Sequence, residues 1–139
     1  MRRIIVDTNL YIDWLNAGKH EPTLFQPDAV KFMSAVVMME LLAGVQSVRD
    51  QRRLQDLFRT FAKLDRILTP SWATYEEAGE VLRQLQTIHR YHLRRSHTLT
   101  NDVLIALSAR TIGGTVITQN KRDFLALQSI REFNLSVVS

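Results

Sequence analysis

The sequence predicts an α/β fold, with a central, mainly parallel sheet of four to five strands sandwiched between helices. Three observations predict it. Short β-branched runs such as IIV at 4–6 and TVIT at 115–118 have the length and content of buried strands. Longer stretches carry apolar residues at helical spacing. The two kinds of segment alternate along the chain. Strands joined through helices run parallel and are covered on both faces, and ligands of such sheets bind beyond the carboxyl ends of the strands.

In chain order, IIV (4–6) is a strand and NLYIDWL (9–15) a short helix leaving it. The segment from Gly18 to Asp28, with Pro22 and Pro27, predicts a loop or a short irregular helix. KFMS (31–34) is a second strand, leading into a helix from Val36 to a stop at Gly44. Residues 47–63 form the next helix, and RILT (66–69) a strand closed by Pro70. The longest helical pattern, SWATYEEAGEVLRQLQTIHRYH (71–92), has Ser71 as its N-cap, and its residues Trp72, Tyr75, Val81, Leu82, Leu85 and Ile88 are assigned to the core. NDVLIALSARTIGG (101–114) is a helix ended by Gly113 and Gly114; TVIT is a strand, DFLALQ (123–128) a short helix and LSVV (135–138) a last strand.

The 139 residues, 45% apolar, are the size of one domain, 1–139, and at this length folding buries roughly two-thirds of the unfolded chain's surface. Neither repeats nor low-complexity tracts nor a linker interrupts it. Cysteine is absent, which excludes a disulfide framework, a thiolate zinc site and a cysteine nucleophile. The N-terminus MRRIIVD meets a charge after three apolar residues, and no run approaches the ~18 of a membrane span. A soluble, cytoplasmic protein without a membrane partner is expected.

The net charge is +4, from 18 Lys plus Arg against 14 Asp plus Glu, and 14 of the cations are arginines, whose planar fork suits phosphate. With four acids segregated in one site, 18 cations would face ten acids, leaving +8 elsewhere and favouring a polyanionic partner.

Four acids stand where acids are costly or suggestive. Glu40 lies at helical spacing from Val36, Val37, Ala43 and Gly44, and an ionised carboxylate on such a face needs a cation, a salt bridge or a raised pKa. Asp102 shares a face with Ile105, Ala106 and Ala109, in a first turn where the helix dipole favours negative charge. Asp7 and Asp123 each follow a strand and open a helix, so each can be read as a cap. Capping or solvation accounts for each alone; a hard divalent cation, Mg²⁺ or Mn²⁺, accounts for all four, because such ions take oxygen ligands and keep several waters. Without a Cys/His cluster nearby, zinc is disfavoured. Thr8 and Asn9 shape the turn that holds Asp7.

The ordered set DTN (7–9), Glu40 in MELLAG, NDVLIALSA (101–109) and TQNKRDF (118–124) resembles the PIN domain, and most closely the VapC-like toxins of bacterial and archaeal toxin–antitoxin pairs. The resemblance runs from Asp7 to Phe124, with little family-specific signal between 45 and 97. It implies a PIN-like α/β/α sandwich and a metal-dependent endoribonuclease. Asp7, Glu40, Asp102 and Asp123 would be its acidic quartet, Asp7 and Asp102 binding metal directly and Glu40 and Asp123 directly or through water. Thr118 and Asn120 would support the fourth acid as Thr8 and Asn9 support the first. The resemblance further implies RNA as substrate, tRNA or rRNA among the candidates, inhibition of translation and growth, a homodimer, and a cognate antitoxin that lays an apolar helix along a groove and covers the acids with a basic side chain. Metal-driven hydrolysis would leave a 5′ phosphate and a 3′ hydroxyl.

RYHLRRSH (90–97) interleaves Arg90, Arg94 and Arg95 with Tyr91, His92 and His97, a composition suited to phosphates and unpaired bases, and equally to a solvated helix end. Two rival functions are set beside the toxin. One is a PIN nuclease for RNA processing or decay without an antitoxin. The other is a non-catalytic Mg²⁺-binding α/β signalling module, which would want an acid ending one strand and a lysine ending a later one, where RILTP offers neither.

Overall fold

The computed structural model describes residues 1–91 and 98–139. Its centre is β1 (Arg2–Val6), exposed at Arg2 and Arg3 and buried at Ile4, Ile5 and Val6. Successive buried residues point to opposite faces of the sheet, so both faces are covered there. β1 pairs in parallel with β2 (Ala29–Ser34) on one side and β4 (Thr115–Thr118) on the other. β3 (Ile67–Leu68) joins β2 and β5 (Asn134–Val137) joins β4, giving the order β3-β2-β1-β4-β5, all parallel.

Seven helices of the described residues connect the strands: α1 (Thr8–Ala17), α2 (Glu21–Leu24), α3 (Ala35–Gly44), α4 (Val48–Lys63), α5 (Trp72–Ile88), α6 (Leu99–Thr111) and α7 (Lys121–Ile130). α3 packs against α1 and α4, α5 packs against α6 and α7, and α3 meets α6 between the two sets. The chain builds outward from β1 through β2 to β3, then returns to the other side of β1 for β4 and β5. The strand order therefore reverses between β1 and β4, and a crevice opens at their carboxyl ends.

α6 is the most enclosed helix: Leu99 and Asp102 through Ala109 are buried. It ends at Thr111, and the turn that follows passes through Gly113, whose positive φ of 64° suits glycine. At Gly114 a side chain would displace the tip of Ile5, which the absence of a Cβ leaves undisturbed at the start of β4.

The fold is the predicted one, with five strands, all parallel, and several elements shifted. α6 starts at Leu99, two residues before the predicted start. α5 stops at Ile88 instead of His92. Its buried stripe is Thr74, Ala78, Val81 and Leu85, with Leu82 partly buried, whereas Trp72, Tyr75 and Ile88 are exposed. The core assignment of those three is corrected: Trp72 and Tyr75 fall off the stripe facing α6 and α7, and Ile88 closes the last turn beyond it. Among the described residues, no helix is long and apolar enough to cross a membrane.

Core position and exposed aromatic should separate cleanly in stability. Ile5→Ala is expected to lower the unfolding free energy by about 2–5 kcal/mol, and Trp72→Ala to change it by no more than about 0.5 kcal/mol, in urea denaturation followed by circular dichroism.

Candidate active site

Asp7 follows the last residue of β1, and its backbone N–H donates to the Ile117 carbonyl of β4 at 2.8 Å, which fixes it over the crevice. Its Oδ1 accepts the Thr8 N–H at 2.8 Å and caps α1, while Oδ2 accepts the Thr118 hydroxyl at 2.6 Å. Ser34 ends β2 and caps α3 through the N–H groups of Val36 and Val37. That cap sets the phase of α3 and directs Glu40, in its second turn, to the same rim. Glu40 Oε1 accepts the Thr8 hydroxyl at 2.6 Å and Oε2 the Asn101 amide at 3.3 Å.

Asp102 stands in the first turn of α6 and Asp123 in the first turn of α7. The Asn120 side-chain amide donates to both, at 3.3 Å to Asp102 Oδ2 and 3.0 Å to Asp123 Oδ2. The Asn120 N–H in turn donates to Thr118 Oγ1 at 3.0 Å. Asp123 Oδ1 accepts the Tyr91 hydroxyl at 2.7 Å. One chain of hydrogen bonds thus runs from Asn101 through Glu40, Thr8, Asp7, Thr118 and Asn120 to Asp123 and Tyr91.

Asp7, Glu40 and Asp102 line one cleft of about 300 Å³ together with Thr8, Asn9 and Asn120. Asp123 does not line it; it sits one side chain away, behind Asn120. The reading of Glu40 from sequence needs correction: Val36 and Val37 are buried, but Ala43 and Gly44 are exposed, and Glu40 is half-buried at the cleft edge. Sequence reasoning missed Asn101, whose only signal is its place beside Asp102, and Thr98, which also lines the cleft. Arg90 is exposed with a φ of 56°. Tyr91 is not open for base stacking: it is buried, with the Arg122 guanidinium 5.4 Å from its ring centre and its hydroxyl given to Asp123. Arg94 and Arg95, with His92 and His97, lie outside the described residues.

Crowding governs the electrostatics. Asp102 is 4% exposed, and its carboxyl is pushed up to about 9, first by burial and then by Asp7, Glu40 and Asp123. Burial also raises Asp7, against the stabilising bonds from Thr118 and the Thr8 N–H, and Glu40 adds to the rise. Tyr91 is pushed up to about 12, by burial first and then by the carboxylate it serves. Among the described residues, no Lys, Arg or His pairs with any of the four acids. The Asn9 Oδ1, buried beside Asp7, has no hydrogen-bond partner.

These features fit a hard divalent cation. Carboxylate and amide oxygens are its preferred donors, Asn9 offers an unused one, and Asp102 ionises readily only next to positive charge. Among the described residues no three acidic or imidazole side chains close into a cage on their own. A cation held by Asp7 and Asp102, with Glu40 at the edge, would therefore keep part of its water shell, as Mg²⁺ does.

The sequence profile of the PIN domain matches residues 4–129. The chain belongs to the PIN domain family. A curated relative, Ribonuclease VapC1 of Rickettsia felis, is 25% identical over 133 residues, covering 96% of each chain. Among solved structures, VapBC2 of Rickettsia felis bound to a DNA fragment from its promoter matches with a TM-score of 0.70 at 20% identity, over 99% of each chain. VapBC-5 of Mycobacterium tuberculosis, of the VapBC family of toxin-antitoxin systems, matches with a TM-score of 0.65 at 19% identity, over 99% of this chain and 100% of that one. The structural likeness concerns the PIN fold, to which the five-stranded parallel sheet and its helical layers conform.

The raised Asp102 carboxyl sets a pH dependence. The folded protein holds a proton there that the unfolded chain releases above the ordinary value of 3.8, so without metal its stability falls as pH rises from about 4 towards about 9. Thermal denaturation in EDTA should show a melting temperature lower at pH 8 than at pH 5, and Asp102→Asn should raise it at pH 8 and make the fall shallower.

Proposed function

We propose that residues 1–139 form one PIN nuclease domain, a divalent-metal-dependent endoribonuclease that acts as the toxin of a toxin–antitoxin pair. The observation that carries the reading is the gathering of Asp7, Glu40 and Asp102 round one cleft at the β1/β4 crevice, with no cation of the described residues to neutralise them. The resemblance to Ribonuclease VapC1 over nearly the whole chain supports RNA as substrate, and inhibition of translation and growth follows from the toxin reading.

Bound there, Mg²⁺ or Mn²⁺ would supply polarisation of a phosphodiester and a more acidic water. Asp7 and Asp102 would hold the ion, and its charge would keep the Asp102 carboxyl ionised. Glu40, oriented by Thr8 and Asn101, stands at the cleft edge, where it can hold a water or take up its proton. Asp123 acts through water, and Thr118 and Asn120 keep Asp7, Asp102 and Asp123 in register. Tyr91 is a positioning residue for Asp123. Hydrolysis leaves a 5′ phosphate and a 3′ hydroxyl. Arg90, Arg94 and Arg95 are proposed as RNA-binding on composition alone, because guanidinium groups suit phosphates.

A second groove, of about 430 Å³, runs from Ile12 and Glu40 past Leu15, Leu41 and Val45 and so continues the acid cleft. An apolar antitoxin helix laid along it would bring a basic side chain to the acids. The VapBC complexes among the fold's neighbours favour such a partner, and a homodimer and a cytoplasmic location complete the proposal.

Cleavage of labelled single-stranded RNA and of total tRNA, in Mg²⁺, Mn²⁺ or EDTA, tests this. Wild type should cut with metal only, and Asp7→Asn should lose the activity while staying folded; metal-independent cutting, or equal inertness of both proteins on every substrate, would refute the nuclease. Tyr91→Phe should retain the fold and lose activity by roughly tenfold to a hundredfold, measured as initial rates across a Mn²⁺ titration, with the midpoint moved to higher metal.

A further inference from the structure

A second cavity lies away from the acid rim. Lys31 in β2 is paired in register with Ile4, three residues before Asp7, so it sits about 10 Å down the strands from the acids. Beside it, a space of about 310 Å³ opens between the α2 turn and the second half of α4, walled by Leu24, Phe25, Leu57 and Phe61. It shares no lining residue with the acid cleft.

Two cations stand at this apolar space: Lys31 and Arg66, both half-buried. The Lys31 ammonium is 5.8 Å from the centre of the Phe25 ring, and its pKa is held below the usual lysine value by burial and by the like charge of Arg66. Among the described residues, no carboxylate forms an ion pair with either. Nor are the last carbonyls of α4 free: Thr60, Phe61 and Ala62 accept the N–H groups of Leu64, Arg66 and Asp65 at 3.2, 2.9 and 3.1 Å. Two like charges brought together against apolar walls cost free energy that an anion would relieve.

We propose that this cavity binds a small amphipathic carboxylate, its head between Lys31 and Arg66 and its apolar body against Leu24, Phe25, Leu57 and Phe61. The charge selects the head, and the walls select the body. The volume lies at the small end of the range for ligand pockets, roughly 300–1,000 Å³, which suits a short acyl chain or a single ring. The site is independent of the nuclease reading, because it uses none of the four acids.

Titration of the 139-residue protein with octanoate, by calorimetry and by methyl NMR, tests the proposal. Octanoate should bind at one site, shift the methyl signals of Leu24 and Leu57, and bind at least about tenfold more tightly than 1-octanol. Lys31→Gln and Arg66→Gln should each weaken it by about tenfold, in proteins whose remaining spectrum is unchanged. Absence of saturable binding, equal binding of 1-octanol, shifts mapping to another surface, or full affinity in the double variant would overturn it. The methyl shifts are read on the wild-type protein, so the result stands even if a variant fails to fold.

Discussion

Mutual repulsion among carboxylates at the carboxyl ends of β1 and β4 is the constraint on which the rest of this structure depends. Asp7 and Asp102 are buried, Glu40 is half-buried beside them, and Asp123 is close enough to act on Asp102. Burial makes each charge costly, and each neighbour raises the cost. The fold answers with neutral donors. Thr118 and the Thr8 N–H serve Asp7, Thr8 and Asn101 serve Glu40, and Asn120 spans Asp102 and Asp123. The positive ends of α1, α6 and α7 add partial charges of the right sign, because Asp7 caps the first and Asp102 and Asp123 occupy the first turns of the others.

Neutral donors orient acids without neutralising them. An arginine in the place of Asn120 would relieve Asp102 by pairing with it and so cancel its charge. The amide holds two carboxylates in register while leaving their charge available, the arrangement expected where an ion is to be admitted. Stability is given up locally for that availability, and the surrounding core offsets it. Ile4, Ile5 and Val6 lead into Asp7, and Val103 through Ala109 follow Asp102, all of them buried. The most costly side chains therefore stand on the most deeply buried elements.

Much of this was legible in the sequence. Alternating strand and helix patterns led to a parallel sheet, and motif order led to the PIN family, because both depend on local spacing and on short segments that keep their meaning out of context. Asp102 was identifiable as an acid on an apolar helix, and it is buried as the pattern required. Glu40 was read the same way, but its face proved half-open: helical periodicity says which residues share a side of α3, not what covers that side. Trp72 and Tyr75 were misjudged for the same reason, since apolar character alone does not reveal that the stripe packed on α6 and α7 runs through Thr74, Ala78, Val81 and Leu85.

The amino-acid sequence by itself determined the strand and helix order, the family, and the presence of four acids at strand ends or early helical turns. Tertiary structure alone decided that three of them share a cleft while Asp123 stands behind Asn120, that Tyr91 is a hydrogen-bond donor to Asp123 instead of a stacking surface, and that Lys31 and Arg66 meet at a second cavity. Most of these are relations between residues distant in sequence, such as Tyr91 with Asp123 and Lys31 with Arg66. Local propensity carries no term for them. They arise only when strand order and helix packing bring distant backbone segments to one rim and the cost of buried charge selects which side chains meet.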